Sequence, residues 1–387
     1  MAGKPELHLA TALEATGWHP ASWREPRARP GEIFTAAYWT DLVREAERGL
    51  LDFVTIEDSL GGEGRSDHTG RVRGRLDSVL IASRVAPLTT AIGLVPTVVT
   101  THTEPFHLSK ALATLDYVSR GRAGVRVRVD GSAEGAAHFG RRDPETLTRE
   151  ALFAEAADYV EVIRRLQDSW EDEAEIRDVA TGRFIDGDKL HYIDFEGPWF
   201  SVRGPSITPR PPQGQIPVAV LAHATAAYRL AARSADLVFV TPRDEPDAAR
   251  IVAEIGAESD VAGREKPPGI LADLVVFLDE TERAAIGRKA RLDELAGEAY
   301  VSDAAVFAGT AEQLAELLIA LAEQGVTGFR LRPGAIPHDL LAITADVTAA
   351  LRKTGRYRGP SATTGPTTLR GTLGLGRPAS RYAEVRA

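Results

Sequence analysis

The sequence of 387 residues contains no cysteine. Disulfides, thiol catalysis and thiolate metal ligands are therefore excluded. Aromatic residues make up only 6% of the chain, the net charge is -9, and no block of basic residues is interleaved with aromatic ones. This combination argues against nucleic acid as a partner.

A long uninterrupted apolar run is also lacking. The longest apolar region, residues 79–99, is broken by Arg84, Pro87 and Pro96, so we predict no membrane-spanning helix and no membrane partner. The first residues show no charged stretch followed by an apolar core, which is the pattern of a secretory signal. We therefore expect a cytoplasmic protein.

Several short catalytic motifs are missing as well. The nine histidines form no HExxH or other tight ligand spacing, so no metal site is predicted. No G-x-S-x-G turn of a hydrolase occurs. Glu57 and Asp58 are adjacent in a predicted strand, so their side chains diverge, which argues against the paired carboxylates of a glycosidase.

Strand-like and helix-like patterns alternate through most of the chain. Such alternation is typical of a parallel sheet, and eight strand–helix units are the number that closes a barrel. We predict an α/β fold, a (β/α)8 TIM barrel, in preference to a doubly wound open sheet, because no GxGxxG turn follows the first strand. The eight predicted strands lie within residues 7–13, 52–59, 89–99, 121–132, 216–223, 236–241, 270–279 and 328–334.

The predicted barrel forms a single domain over residues 1–354. An insertion at about residues 171–212, before strand five, is rich in Asp, Gly and Pro, which indicates hairpins. A second insertion at about residues 280–327, after strand seven, carries extra helices. Residues 355–387 are predicted to form an extended C-terminal arm that wraps the barrel or a neighbouring subunit.

The predicted fourth strand, in the stretch GRAGVRVRVDGS, has an unusual pattern. Valines alternate with Arg126, Arg128 and Asp130, a period of two that is typical of a strand. Strands of a parallel sheet are usually near-continuous apolar runs. The alternation therefore places several charges on one face of a strand that we expect to be buried.

Functional residues in TIM barrels lie at the C-terminal ends of the strands. His102, after strand three, is one such candidate, and the alternative is an ordinary loop histidine. Asp58, after strand two, has the alternative of a helix cap. The stretch HATAA (223–227) begins a helix, where backbone N–H groups and the helix dipole suit an anion such as phosphate. The strand-end candidates are Trp18, His19, Trp23, Glu57, Asp58, Ser59, Thr97, Thr100, Thr101, His102, Glu104, Arg126, Arg128, Asp130, His138, His223, Thr225 and His338.

Five segments in order resemble a known family, the bacterial-luciferase-like flavin monooxygenases. The resemblance is to the branch containing the nitrilotriacetate, dibenzothiophene-sulfone, long-chain-alkane and pristinamycin monooxygenases, and it runs nearly from end to end. The segments are ATGWHPASWREP (15–26), AERGLLDFVTIEDSL (46–60), TTHTEPFHLSKALATLDYVSRGRAG (100–124), GDKLHYIDFEGPWFSVRGPSITPRPPQGQIPV (187–218) and TTLRGTLGLGRPASRYA (367–383).

This resemblance implies a two-component monooxygenase. Reduced FMN would be supplied by a separate, transiently bound flavin reductase, so that NAD(P)H acts only indirectly. With O2 as co-substrate, a C4a-peroxyflavin would oxidise a small organic substrate. The protein would bind and orient the flavin and the substrate, and would exclude water from the site. The family resemblance also implies a homodimer or homotetramer.

The resemblance assigns roles to particular positions. His19 and His102 would face the substrate or the peroxide and are the predicted catalytic residues. The predicted substrate pocket contains Trp18, Trp23 and Glu57. The predicted cofactor-binding residues are Asp58 and Thr101 near the flavin ring, Arg126 and Arg128, and His223, Ala224 and Thr225 near the phosphate.

The residues that differ from the family pattern lie on the side of the barrel that is predicted to bind flavin. The usual stretch resembles GRAGWNVVTS, and a tyrosine is expected on the next helix where Phe153 stands. His223-Ala224-Thr225 replaces a Gly-Ser-Ser loop. In the fourth strand the replacements are Val125 for Trp, Arg126 for Asn, Val129 for Thr and Asp130 for Ser.

Three hypotheses follow from these departures. In the first, Arg126 and Arg128 take over the binding of an anion, such as the phosphate of FMN or of a deazaflavin in an oxidoreductase, because arginine binds phosphate bidentately. Alternatively, the flavin is bound weakly as a substrate, or it has been lost and the barrel serves as a binding or partner subunit. Arg126 is also expected to be able to pair with Asp58 or Asp130, since buried charges are normally paired.

Overall fold

Parallel strands joined by helices make up most of the computed structural model, which describes residues 6–61, 70–359 and 368–383. The strands are β1 (His8–Leu13), β2 (Phe53–Ile56), β3 (Gly93–Val99), β4 (Val125–Arg128), β5 (Glu175–Asp178), β6 (Arg183–Ile185), β7 (Phe195–Glu196), β8 (Ser201–Val202), β9 (Val218–Leu221), β10 (Leu237–Val240), β11 (Gly269–Leu278), β12 (Ala305–Gly309) and β13 (Gly328–Pro333). The α-helices are α1 (Ala36–Arg48), α2 (Ser78–Val85), α3 (Pro105–Ser119), α4 (Ala133–Phe139), α5 (Arg149–Asp168), α6 (Thr225–Ser234), α7 (Glu245–Val261), α8 (Glu282–Ala296), α9 (Ala311–Ala322), α10 (His338–Ala342), α11 (Thr348–Lys353) and α12 (Leu369–Thr372).

Eight of these strands close into a parallel barrel. Their order around the barrel is β1, β2, β3, β4, β9, β10, β11 and β13, and the pairing of β13 with β1 completes the ring. Each corresponds to one of the eight predicted strands, so the predicted TIM barrel is confirmed. The strand order follows the chain order because each crossover helix returns the chain to the next position.

Local sequence explains where the helices begin. Thr35, Asp77 and Thr148 each accept a hydrogen bond from a backbone N–H in the first turn of the helix that follows. Thr310 forms a full capping box with Gln313 at the start of α9. Such caps satisfy N–H groups that have no partner within the helix, and each contributes about 1 kcal/mol.

Both segments predicted as insertions hold additional elements. The segment before the fifth barrel strand contains two antiparallel hairpins, β5–β6 and β7–β8. The segment after β11 contains α8, β12 and α9, and β12 extends the sheet by pairing with the C-terminal half of β11. This second insertion leads the chain back over the C-terminal end of the barrel before β13 begins.

The end of the chain closes the opposite side of the barrel. Leu369 on α12 and Leu373, which follows this helix, are buried in a cluster with inward-facing residues such as Phe53 and Phe239. The Cδ1 atom of Leu369 lies 2.5 Å from the point where a Cβ on Gly93 would be, so only glycine fits there. The arm therefore packs against its own barrel, as a plug at the N-terminal ends of the strands.

Among the helices that the structure describes, none combines the length and the apolar character needed to span a bilayer.

Candidate active site at the C-terminal end of the barrel

A row of alternating charges crosses the C-terminal half of the barrel. It joins strands β2, β4, β11 and β13 to the segment before β12. Positive and negative groups balance, with three guanidinium groups and three carboxylates. In order, the members of this charge network are Arg126, Glu57, Arg330, Asp273, Arg332 and Asp303.

Glu57 receives hydrogen bonds from two arginines. Arg126 donates from Nη1 to Glu57 Oε2 and, at 3.1 Å, to Thr97 Oγ1. Arg330 donates from Nη1 to Glu57 Oε1 at 2.9 Å. The Arg126 and Glu57 side chains are only 5% and 4% exposed. The expected pairing of Arg126 with Asp58 or Asp130 is therefore wrong, because the strand twist directs Arg126 inward to Glu57.

Asp273, at the centre of the barrel, accepts hydrogen bonds from the other two arginines. The Nε atom of Arg330 lies 2.8 Å from Asp273 Oδ1, and that of Arg332 lies 2.9 Å from Asp273 Oδ2. The guanidinium of Arg330 also lies 4.3 Å above the ring of Phe239. Burial of charge is expensive unless it is paired and hydrogen-bonded, and these contacts supply the pairing.

The carboxylates of the network are ionised because arginines surround them. Burial raises the pKa of Glu57, but the attraction of Arg126 and Arg330 outweighs it and holds this pKa at about 2. The pKa of Asp273 is likewise lowered by Arg330 and Arg332 in spite of its burial. Burial lowers the pKa of Arg126 to about 10, which still leaves it protonated.

Asp303 connects the network to the segment 298–303. Arg332 donates from Nη1 to Asp303 Oδ1 at 2.6 Å, and His223 Nε2 lies 3.3 Å from Asp303 Oδ2. Burial raises the pKa of Asp303, but the hydrogen bonds from His223 and Arg332 outweigh it and hold this pKa far below its usual range. These contacts fasten the segment over the barrel mouth.

Beneath this segment lies a cavity of about 760 Å³. Its walls come from the loops after β1 and β2, residues 71–76, and the segment 298–303. Trp18, Trp39 and Tyr300 supply aromatic walls. Pockets that hold small ligands and cofactors usually measure about 300–1,000 Å³ and are walled in this way. Of the predicted site residues, the cavity lining includes Trp18, His19 and Glu57.

His19 lies in the cavity wall with both ring nitrogens bonded to the protein. Its Nδ1 accepts from the Ala21 backbone N–H at 3.1 Å, and Nε2 lies 3.0 Å from Asp293 Oδ1. Since Nδ1 accepts, the proton is on Nε2 and is donated to Asp293. Burial lowers the pKa of His19 despite the carboxylate, so the ring is neutral at pH 7. In this arrangement the side chain fixes the wall.

His102 has the opposite environment. Only 6% of it is exposed, and neither Nδ1 nor Nε2 has a hydrogen-bond partner among the described residues. Its ring stacks on Phe139 at 5.3 Å between centroids, and its φ of +70° is in the left-handed region. Burial lowers the pKa of His102, so the imidazole is neutral. Among the described residues His102 therefore has two buried ring nitrogens without a hydrogen-bond partner, at a strand end that lies outside the cavity lining.

Two residues that were predicted to lie near the flavin ring accept hydrogen bonds from backbone N–H groups at the barrel mouth. Asp58 accepts hydrogen bonds from the backbone N–H groups of Ser59, at 2.8 Å, and Ser78, at 3.0 Å, so it caps the start of α2. Thr101 Oγ1 accepts from the backbone N–H of Asp130 at 3.0 Å. The cap that was the alternative interpretation of Asp58 is therefore present in the structure.

The N-terminus of α6, predicted to hold a phosphate, has an acidic neighbour. Thr225 donates its hydroxyl to Glu254 Oε1 at 2.6 Å. His223 is turned towards Asp303 and Thr241, while Ala224 occupies the cap position without a side-chain hydrogen bond. The carboxylate of Glu254 places negative charge where an anion would bind.

Two further predicted residues lie outside the cavity lining. The indole N–H of Trp23 donates to the backbone oxygen of Gly70 at 2.8 Å. Arg128 is exposed and donates to the backbone oxygen of Asp58 at 3.2 Å.

Sequence reasoning missed Asp273, Asp303, Arg330 and Arg332. A signal was present for the two arginines, because GFRLRP repeats on β13 the alternation of arginine and apolar residues seen on β4. Asp273 stands alone in an otherwise apolar strand. Asp303 has no local signal, since it reaches the network only because its segment crosses the barrel mouth.

Comparison with known proteins identifies the family. The Luciferase-like monooxygenase family matches residues 15–292. The chain belongs to this family. A similar protein is the N-acetyl-S-(2-succino)cysteine monooxygenase of Bacillus subtilis (strain 168), 29% identical over 98% of this chain and 99% of that protein. The nitrilotriacetate monooxygenase component A of Aminobacter aminovorans is 32% identical over 74% of this chain and 65% of that protein.

A solved structure supports the same fold. The long-chain alkane monooxygenase crystal structure superimposes with a TM-score of 0.87 and 22% sequence identity, over 97% of both chains. The luciferase-like chain thus keeps the whole barrel of its relatives, and its similar proteins are named as monooxygenases. The predicted resemblance is confirmed.

Proposed function

We propose that the chain is the oxygenase component of a two-component system that uses reduced FMN and O2 to oxidise a small organic substrate. The observation that carries this proposal is the cavity of about 760 Å³ at the catalytic end of a luciferase-like barrel. The resemblance to luciferase-like enzymes implies reduced FMN, and the naming of one relative as component A supports a separate component that supplies it.

The cavity and the predicted phosphate position differ in what they offer a flavin. Trp18 and Trp39 contribute to the cavity lining, and the volume is ample for a planar ring. At the phosphate end, Glu254 would repel an anion beside Thr225. Arg126, at 4% exposure and bonded to Glu57, faces the barrel interior. We therefore expect the ring to contribute most of the binding free energy.

When bound, reduced FMN supplies the electrons that activate O2. The chain's own residues divide the remaining work. Trp18, Trp39 and the segment 298–303 exclude water from the cavity. Glu57 stays ionised and cannot donate a proton. His102 lies outside the cavity lining, but it is neutral and its ring nitrogens have no hydrogen-bond partner among the described residues, so we propose it as the group that moves a proton when the ligands are bound.

A second candidate function rests on the charge network. If the barrel has lost flavin and serves as a binding or partner subunit, its strand-end arginines should be locked in internal ion pairs. Arg126 and Arg330 are in this state, since both are bonded to Glu57. This observation favours altered or absent flavin binding over the use of Arg126 as a phosphate ligand.

Anaerobic titration of the protein with FMN, reduced FMN, reduced deazaflavin and riboflavin separates the two functions. Micromolar or tighter binding of reduced FMN by the wild type supports the oxygenase, and preference for the deazaflavin supports an oxidoreductase. The variant Arg126→Asn is measured beside it. Binding that is absent in the wild type and appears in this variant would show that Arg126 displaced the flavin.

We also propose a homodimer or homotetramer. The β5–β6 hairpin exposes apolar side chains, with Val179 at 94% and Phe184 at 62% exposure, and such patches often mark interfaces. Light scattering of the full chain tests the mass, and Val179→Ser together with Phe184→Ser should shift it towards the monomer.

A further inference from the structure

Arg332 contacts three parts of the molecule at once. Its Nε atom donates a hydrogen bond to Asp273 Oδ2 at 2.9 Å, in the barrel interior. On the other side, Nη1 and Nη2 donate to the two carboxylate oxygens of Asp303 at 2.6 and 3.1 Å. The Cζ atom lies over the ring of Trp18, 4.4 Å from the ring centroid. One rigid, planar group therefore joins the barrel, the segment 298–303 and an aromatic residue of the loop after β1.

Two of the three partners of Arg332 line the cavity, although Arg332 itself does not. These partners are Trp18 and Asp303. Trp18 and Tyr300, which belongs to the segment 298–303, also pack on the same apolar cluster around the buried Phe277. The position of the Trp18 ring and the position of the segment therefore depend on a shared set of neighbours, with Arg332 in contact with both.

Arg332 is the buried anchor of the segment 298–303. Its side chain is only 1% exposed, so water screens its ion pair with Asp303 from one side only. Arg71 also binds Glu298, and His223 also binds Asp303. The side chains of these two ion pairs are between 34% and 65% exposed, and exposed ion pairs contribute little to stability. We therefore expect Arg332 to contribute more than either of them to holding the segment in place.

The balance of charge inside the barrel favours the closed segment. The interior holds all three guanidinium groups of the network but only two of its carboxylates, Glu57 and Asp273. The third carboxylate, Asp303, is carried by the segment 298–303. Displacement of the segment leaves one positive charge in excess in the interior, and a buried charge without its partner is unfavourable. Closure restores the pairing of the guanidinium group that lies over Trp18.

We propose that Arg332 is a positioning residue for the ligand in the cavity, because it couples closure of the segment 298–303 to the placement of the Trp18 ring. The inference rests on the proposed oxygenase function for the identity of the ligand, but the coupling itself does not require flavin. When the segment closes, Asp303 completes the pairing of Arg332, and the guanidinium group then fixes the Trp18 ring in the cavity wall. A ligand beside that ring is held there, and water is excluded from it.

Tryptophan fluorescence tests the coupling without flavin or turnover. Arg332→Lys keeps a positive charge near Asp273, but lysine has no planar group that can bond two carboxylates and also lie over Trp18. We expect acrylamide to quench the fluorescence of this variant about twofold or more efficiently than that of the wild type, because the segment opens and the ring is exposed. The increase should vanish in the Trp18→Phe background. An increase that persists there, or no increase at all, would overturn the proposal.

A matched variant separates positioning from loss of stability. Arg330→Lys changes a buried arginine of the same strand that also binds Asp273. Its other partners are Glu57, Thr55 and the ring of Phe239, none of which belongs to the segment 298–303. Arg330→Lys should lower the free energy of unfolding but leave the quenching of Trp18 at the wild-type level. Equal quenching in the two lysine variants would show general loosening of the barrel and contradict a role specific to Arg332.

A double-variant cycle tests whether the segment acts on Trp18 through Arg332. Asp303→Asn removes the carboxylate that the segment contributes to Arg332, so it should also raise the quenching of Trp18. If both residues act through one contact, Arg332→Lys combined with Asp303→Asn should add little to the effect of either single change. Effects that sum in the double variant would show that the two residues act independently, which contradicts the coupling.

Anaerobic stopped-flow measurements with reduced FMN separate this inference from the proposed function. We expect reduced FMN to dissociate about tenfold faster from Arg332→Lys and from Asp303→Asn than from the wild type, with a similar association rate. Wild-type dissociation rates in both variants would contradict the positioning role alone. Absence of reduced-FMN binding to the wild type would contradict the oxygenase, while the quenching experiments would still decide the role of Arg332.

Discussion

Arg126 and Glu57 meet inside the barrel, although 69 positions separate them in the chain. Both side chains are almost completely buried. In the sequence these residues are separate charges at strand ends. In the structure their contact makes them part of one network of ion pairs. That network fixes the floor of the cavity, and it continues through Asp273 and Arg332 to the segment that covers the barrel mouth.

Removal of the negative charge at the centre of the network should lower the free energy of unfolding. Asp273→Asn leaves Arg330 and Arg332 without their shared carboxylate in a fully buried position. Breaking a buried ion pair costs about 3–5 kcal/mol, and we expect a loss of this size in the free energy of unfolding. Urea unfolding measures it. Asp303→Asn is the control, because Asp303 is 43% exposed and should cost less. Equal losses would show that burial does not govern the cost.

Low pH should destabilise the wild-type fold because it protonates Glu57. The pKa of this group is about 2 in the folded protein and 4.5 ordinarily. A carboxyl with a lowered folded pKa contributes stability that is complete above about pH 4.5 and is lost as pH falls towards 2. Glu57→Gln should therefore be less stable at pH 7, and the difference from the wild type should shrink between pH 5 and pH 3. Thermal unfolding across this range measures the effect.

A matched variant completes that experiment. Glu316→Gln removes an exposed carboxylate on α9 and should follow the wild type at every pH. A gap between Glu57→Gln and the wild type that stays constant down to pH 3 would contradict the proposed ionisation of Glu57.

The segment 298–303 should open when its anchor is removed. Asp303→Asn loses the charge that binds Arg332 and His223. We expect chymotrypsin to cleave after Tyr300 several-fold faster in this variant than in the wild type, because cleavage requires local opening. Asp260→Asn, at an exposed position on α7, controls for the loss of one negative charge. Unchanged cleavage in Asp303→Asn would show that other contacts hold the segment.

His102 should affect turnover more than folding. Its ring nitrogens have no hydrogen-bond partner among the residues that the structure describes, so His102→Gln breaks no hydrogen bond there. If His102 moves a proton in the reaction, turnover should fall about 100-fold or more, since general acid–base catalysis contributes about 10²–10⁴-fold. His8→Gln, at the opposite end of the barrel, is the control. Full activity in His102→Gln would assign the proton transfer to another group.

The C-terminal plug should stabilise the barrel without affecting the cavity. Leu369→Ala empties a buried position at the N-terminal ends of the strands and should cost about 2–5 kcal/mol of unfolding free energy. Leu375→Ala, at a partly exposed position beside the same cluster, should cost less. Denaturant unfolding and flavin titration are compared, and a change in flavin affinity of Leu369→Ala would show that the two ends of the barrel are coupled.

Much of the fold was predictable because its signals are local. Ten to twenty residues of sequence are enough to recognise an apolar strand such as β3 or β11. The same length is enough to recognise a capped amphipathic helix such as α1 or α9. Eight repeats of strand and helix leave few ways to connect a parallel sheet, so the barrel follows from the chain order.

The candidate site was only partly predictable. The rule that strand ends carry the site selected Trp18, His19 and Glu57, which line the cavity. It did not reveal that His19 has both nitrogens bonded while His102 has neither. Hydrogen-bond partners come from distant parts of the chain, such as Asp293 for His19, and no local pattern specifies them.

The sequence by itself determined that Arg126 and Arg330 alternate with apolar residues and must point to one face of their strands. Only the tertiary structure decided which face of each strand the arginines occupy and which carboxylates pair with them. Closure of the barrel brings β4 and β13 to opposite sides of Glu57, which is 273 positions away from Arg330. The physical reason is that buried charges must find partners, and the partners available are set by how the strands twist and close.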